Sequence, residues 1–344
     1  EAGKFEPSLF SNALDSVKNT LRADSFARFK RCTEFLKFIA SQKPVFLNMI
    51  SFSPKELMLR LDDLTRDHHT LRDLEVAGYL LQDYSHWKVI YSSAKNNVLL
   101  CTSTHINMTA EARSYAGHMI AIKNSFIIEC TPYEMMDAFA SNQMGKEFGN
   151  FNHRLLEYKS ADASKGLLGT SIIEHHCNLG LFWTLRRLVQ SVSYHYNPAT
   201  GHYFLIEHSC EHPNMSKSNN SLLAIQHNSH KMEPIGDSHT RVTVVTLANF
   251  KGALEQTKQA SPTIEFMSNL IIMSNCKDMF KKFKRSVQAL KHDDGSFRKI
   301  KNMDVCIKEN AQLMAQHPQM YDVLEHANRT QHESNSNSAQ ILHQ

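Results

Sequence analysis

Histidine, cysteine and acidic residues crowd two short stretches of the chain. His175, His176 and Cys177 are consecutive, and His208, Cys210 and His212 alternate. On a strand, alternation puts all three of the second set on one face, a spacing that suits zinc ligands. A zinc site also needs convergent geometry and outer-shell partners, so no metal is expected. Asp67-His68-His69 inverts the order of a His-Asp metal motif and reads as part of a charged helix face. A second set, Arg186, Arg187, Glu207, His208 and Arg241, places charge on predicted strands. A charge on a strand wall must meet solvent, an ion-pair partner or a polar ligand. No GxSxG, Walker loop, GxGxxG or HExxH occurs, so the corresponding nucleophilic, phosphate-binding and zinc-protease templates have nothing to rest on.

The elements that position these residues follow from periodicity. Phe10, Ala13, Leu14, Val17 and Leu21 form one apolar stripe, and helices are predicted over 5–41. Ser53 and Pro54 open a further helix over 54–83, with the charges of RLDDLTRDHHTLRDLE on its solvated side. From Trp87 the period shifts to two. Strands are predicted at 87–93, 97–103, 118–130, 153–160, 170–177, 186–197, 201–209, 221–228 and 240–250. Thr131 and Pro132 start a helix in PYEMMDAFAS, and Asn197-Pro198-Ala199-Thr200-Gly201 makes a tight turn. Ser261-Pro262 starts a long helix with Met267, Ile271 and Phe280 on its buried side, ending in the basic run KKFKR at 281–285. One more helix is expected within 302–327, before a disordered tail. Antiparallel strands with helices set to one side make an α+β class.

Composition narrows the function. The 344 residues carry a formal net charge of +4 without a long basic run, so no nucleic-acid partner is expected. Seven scattered cysteines without a CxxC pair argue against a disulfide framework and for a reducing, cytoplasmic setting. No apolar run reaches the roughly 20 residues of a membrane span. The chain begins at Glu1 rather than Met, which reads as a fragment or a trimmed product.

Several segments, taken in order, resemble the START domain, the family of StAR-related lipid-transfer modules. Trp87 opens HWKVIYSS, and IIECTPYEMMDAF resembles the family's strand running into its first inner helix. Arg186 and Val189 match its Arg-Asp-Phe-Val strand, although Arg187 and Leu188 replace the Asp and Phe. Ser209, Glu211, His212 and Pro213 repeat an S-x-E-H-P run, and Arg241, Val242, Thr243, Lys251 and Gly252 fit the last strand. The resemblance covers 79–290. It implies a helix-grip fold: a curved antiparallel sheet closed by the long C-terminal helix around one lipid, with no cofactor and no catalysis. Arg186, Glu207, His208, Arg241, Met267 and Ile271 are the expected cavity residues. A transient membrane contact at KKFKR is the expected second partner.

Residues 1–44 resemble the closing helices of an RGS domain, through Phe10, Ala13, Val17, Leu21, Asp24, Ser25, Phe26, Arg28, Phe29 and Phe35, with Cys32 where Ser is usual. Residues 45–78 are expected to be a helical linker, and 291–344 helical and then disordered. Two other readings stay open. One is a signalling module that contacts a G-protein subunit. The other is an enzyme of the same cup-shaped fold, using inward-facing His or Glu as acid and base.

Overall fold

A computed structural model describes residues 37, 58–82, 87–93, 97–103, 106–117, 119–140, 150–177, 185–216, 221–249, 281–289, 302–317 and 319–325. The chain divides into two units, Glu1–Phe52 and Ser53–Gln344. In the first, only Lys37 is described, helical and exposed, so the RGS-like reading lies outside the described residues. So do Met267, Ile271 and the first part of the predicted C-terminal helix. Everything below concerns the second unit.

Its described elements are α1 (Asp62–Thr65), β1 (His69–Thr70), α2 (Leu71–Gln82), β2 (Lys88–Ser93), β3 (Val98–Ser103), α3 (Ala110–Ala116), β4 (Ile120–Ile128), α4 (Pro132–Ala140), β5 (Asn150–Lys159), β6 (Leu167–Leu168), β7 (Thr170–Cys177), β8 (Leu185–Asn197), β9 (His202–Ser209), β10 (Ser221–Leu223), β11 (Ile225–Ile235) and β12 (His239–Asn249). Helical residues 281–289 are α5, followed by α6 (Met303–Ala315) and α7 (Gln319–Glu325). The main sheet runs β2-β3-β4-β12-β11-β9-β8-β7-β5, antiparallel throughout, and β10 adds a short parallel pairing to β8. This is an α+β fold of the helix-grip type, and its sheet does not close into a barrel.

Strand periodicity sorts the sheet into two faces. Phe126, Ile128, Ile173, Val192, Tyr194, Leu205, Met232, Val242 and Val244 share the first. They pack with Met135 and Met136 of α4, Phe283 and Val287 of α5, and Met303 and Cys306 of α6. This helix-covered side is the grip face. The second face carries Phe204, Ile206, His208, His227, Ser191, Ser193 and His195, and α1, α2 and α7 lie on that side.

Local chemistry explains the helix starts. Thr131 and Glu134 form a reciprocal capping box: Thr131 N donates to Glu134 Oε2 at 2.7 Å and Glu134 N to Thr131 Oγ1 at 3.2 Å. In the predicted turn, Ala199 N donates to Asn197 Oδ1 at 3.0 Å, and Gly201 takes the positive φ of 72° that a side chain would strain.

Four expectations need correction. The helix expected over 54–83 breaks after Thr65, because Thr70 and Asp73 start a new one: Thr70 N donates to Asp73 Oδ2 at 2.6 Å. The charges of that stretch do not all face solvent, since Asp63, His69 and Asp73 are fully buried while Arg60 and Asp62 stay exposed. The strand predicted at 221–228 does not end there: it divides into β10 and β11, and β11 continues to Ile235 and supplies the sheet between β9 and β12. KKFKR does not end its helix: α5 continues to residue 289 and buries Phe283 and Val287. A fifth difference is smaller: the helix within 302–327 divides into α6 and α7 beside Pro318, which has no N–H to donate.

Candidate functional site

Across one end of the grip face runs a diagonal band of polar side chains, one or two from each of five adjacent strands. His153 on β5 stands opposite His175 on β7, their rings 4.7 Å apart edge to face. Gln190 on β8 is two residues along from His175's partner Leu188, and so lies on the same face. Gln190 in turn is diagonal to Glu207 on β9, which pairs with Asn228 on β11. His230 follows two residues on and packs edge to face with Phe139 of α4 at 4.5 Å. On one side of the band the face is apolar, with Ile173, Val192, Tyr194, Leu205 and Met232.

The hydrogen bonding of this band is incomplete. Asn228 Nδ2 donates to Glu207 Oε2 at 2.5 Å, and Gln226 Nε2 donates to Asn228 Oδ1 at 2.9 Å. His230 Nε2 stands 3.6 Å from the same Glu207 oxygen, beyond a good hydrogen bond. His153 Nε2, His175 Nδ1, Gln190 Nε2 and both ring nitrogens of His230 are buried with no hydrogen-bond partner. Gln190 and His230 are themselves only 4% and 5% exposed. Each such atom costs about 1–3 kcal/mol in a folded protein; the second face holds others, at His195, His208, His227 and Ser229, but those of the band gather around one partly exposed carboxylate.

The electrostatics are consistent. Burial raises the Glu207 carboxyl, but His230 and Asn228 together bring it, on balance, below the ordinary carboxylate value, so it is ionised at neutral pH. Burial pushes His175 down to about 3, and lowers His153 as well, so both are neutral.

The second face holds a different cluster. His195 Nε2 lies 2.9 Å from Ser193 Oγ, which lies 3.0 Å from His69 Nδ1; His69 Nε2 lies 2.9 Å from the Ser191 carbonyl. A carbonyl only accepts, so the proton of His69 is on Nε2 and its Nδ1 accepts from Ser193. By the same logic His208 Nδ1 donates to the Ser209 carbonyl at 3.2 Å, leaving Nε2 bare, 4.0 Å from Asp73 Oδ1. His69, Asp73 and His208 hold potential ligand atoms within 4.8 Å of one another. The set does not suit a cation. Asp73 is taken by Arg66 and Thr70, His69 by two serines, and the two rings stack at 4.3 Å instead of converging.

The sequence-derived site residues therefore separate. Glu207 and Arg186 lie on the grip face, Glu207 in the band and Arg186 four residues before Gln190, near the sheet end opposite Cys177 and Leu222. His208 lies on the second face beneath α1 and α2, and Arg241 is exposed on that same side of β12. Alternation sends His208 away from Glu207, so those two cannot share a space. His153, Gln190, Asn228 and His230 were not singled out from sequence, and His175 only as one of a set weighed as metal ligands. Their signal is polar residues at alternate positions inside strands whose neighbours are all buried. His153, Gln190 and Asn228, the last residue of the strand predicted at 221–228, could have been marked that way; His230 lies beyond that strand's predicted end.

No family model matches the chain, and no curated protein matches it. Among solved structures, human STARD10 is similar over 66% of this chain and 84% of its own, at 12% identity and a TM-score of 0.49. Human StAR-related lipid transfer protein 5 is similar over 64% of this chain and 99% of its own, at 11% identity and a TM-score of 0.45. The Zhui aromatase/cyclase of Streptomyces is similar over 52% and 99%, at 10% identity and a TM-score of 0.33. No described helix is long and apolar enough to cross a membrane.

Proposed function

We propose that the chain binds one hydrophobic, lipid-like ligand against the grip face, as a carrier or a ligand-sensing module. The apolar stretch would hold the ligand's body and the diagonal band its polar end. One observation carries this reading: five unpartnered buried polar atoms collected at the end of an otherwise apolar, helix-covered sheet face. A site of this kind needs mostly apolar walls and a few convergent polar groups. Each ligand methylene removed from water contributes about 0.8 kcal/mol, so the tail supplies affinity and the band supplies orientation.

The test is native mass spectrometry of the purified chain, before and after delipidation, with a mixed lipid extract offered to the stripped protein. A single ligand per chain that survives desolvation is the expected result. Failure to retain any lipid from a broad extract would overturn the reading.

A second reading has one observation in its favour. Glu207 and His230 are an ionisable pair 3.6 Å apart on the grip face, an arrangement that suits acid–base catalysis on a bound hydrophobic substrate. Recovery of the ligand chemically unchanged after prolonged incubation separates binding from turnover.

A further inference from the structure

We infer that the ligand's polar end is an uncharged hydroxyl, which donates to Glu207 and accepts from the donors beside it. The inference rests on the ligand-binding reading above and goes on to the chemistry of the headgroup. Glu207 is the acid at the centre of the band, and its Oε2 already accepts from Asn228, with His230 close behind. Its side chain is 17% exposed, so the carboxylate is not wholly enclosed by protein. An ionised carboxylate accepts and does not donate. Whatever meets it must bring a hydrogen.

The neighbours impose the complementary demand. The unpartnered Gln190 Nε2 can only donate, and every imidazole of the band carries at least one N–H. A hydroxyl meets both demands at once, with one O–H donor and two acceptor lone pairs. An ether offers no donor. A phosphate or carboxylate headgroup brings its charge against Glu207 in a poorly solvated place, where like charges repel strongly. A quaternary ammonium satisfies charge but forms no hydrogen bond with the amide or the rings.

Among the described strand residues, the buried cations do not rescue an anionic headgroup at this point. Lys123 and Lys231 belong to the second face: Lys123 Nζ donates to the Leu80 carbonyl at 3.2 Å, and Lys231 pairs with Glu233 and Glu325. Arg186 shares the grip face, but four residues of extended strand place it about 13 Å from Gln190. It defines the competing arrangement, in which an anionic headgroup lies at the far end of the sheet and the band holds something else.

The experiment compares four probes with one tail: hexadecanol, hexadecyl methyl ether, hexadecyl phosphate and hexadecylphosphocholine. Each is titrated into delipidated wild-type protein, Glu207→Gln and Arg186→Gln. Wild type should bind the alcohol at least about tenfold more tightly than the ether, because the ether leaves the carboxylate without its donor. It should bind both phosphate-bearing probes more weakly still. Glu207→Gln should weaken the alcohol by about tenfold, since charge-assisted hydrogen bonds are about twice as strong as neutral ones, and should bring the phosphate probe closer to it. Arg186→Gln should leave the order unchanged.

The wild-type comparison needs no variant to fold. Binding of either phosphate-bearing probe as tightly as the alcohol, above all with its loss in Arg186→Gln, would overturn the headgroup assignment while leaving the ligand-binding reading intact. An alcohol and an ether that bind alike would do the same. If no probe and no extract lipid binds wild type, both readings fall together.

Discussion

The two faces of the sheet carry similar residues and treat them differently. The second face buries His69, His195, His208 and His227 under helices, with a directed chain of hydrogen bonds through Ser193 and a carboxylate clamped by Arg66 and Thr70. The grip face holds His153, His175 and His230 around Glu207 and leaves their outward atoms unpartnered. Buried atoms without partners occur on both faces, since His195 Nδ1, His208 Nε2 and both ring nitrogens of His227 also lack them. The contrast lies in the two carboxylates: Asp73 is fully buried and clamped by Arg66, whereas the Glu207 side chain is 17% exposed and is met by an amide and a histidine. Under the proposed function the second face stabilises and the grip face binds.

The sharpest way to break that division is Asp73→Asn. It keeps the shape but removes the charge that Arg66 and the Thr70 cap depend on. Loss of one partner of a buried pair costs about 3–5 kcal/mol. Denaturant unfolding should show that loss, while the protein that remains folded should bind ligand normally. A fall in affinity at unchanged stability would reverse the roles of the two faces.

Acid should act on the buried histidines of both faces, including three on the second. Burial holds His195 at about 3 and His208 and His227 at about 4, below the ordinary histidine value, so the fold favours their neutral forms. Their contribution is complete above the unfolded value of about 6.5 and is lost as pH falls from there toward 4. At pH 5 each costs about 2 kcal/mol. Unfolding curves between pH 7.5 and 4.5 should therefore fall most steeply below about pH 6.5, and a flat profile would contradict the burial of these rings.

Two single substitutions then oppose the faces directly. Ser193→Ala strands His69 Nδ1 and His195 Nε2, and should cost about 2 kcal/mol of stability with no change in ligand affinity. Gln190→Leu removes an amide whose Nε2 has no partner, and should leave stability level or higher by about 1 kcal/mol while weakening ligand binding about tenfold. Thermal unfolding with parallel titrations checks both. The smallest effect belongs to Arg241→Ala: an exposed side chain on the second face should change stability by less than about 0.5 kcal/mol and leave affinity alone.

Much of the architecture was legible from sequence, because strand alternation and the Thr131-Pro132 and Asn197–Gly201 signals are local. What was missed is long-range. His230 and Met232 continue the alternation of the strand predicted at 221–228, but their polar neighbours hide that continuation until β9 and β12 bury them from either side. Asp63, His69 and Asp73 read as solvated helix charges because nothing in their own segment announces Arg66 as a clamp or the serines of β8 as acceptors and donors. Glu207 could be marked as a candidate, but His208 beside it could not be sent to the other face until the register of the sheet was known.

The most direct measurement of the central claim is photocrosslinking with two versions of one lipid alcohol, one with a diazirine beside the hydroxyl and one at the tail terminus, followed by peptide mapping. The headgroup probe should label the segments carrying His175, Gln190 and Glu207, and the tail probe should label the apolar part of the same face. Labelling of α2 or of the His69–His208 cluster by either probe would contradict the account.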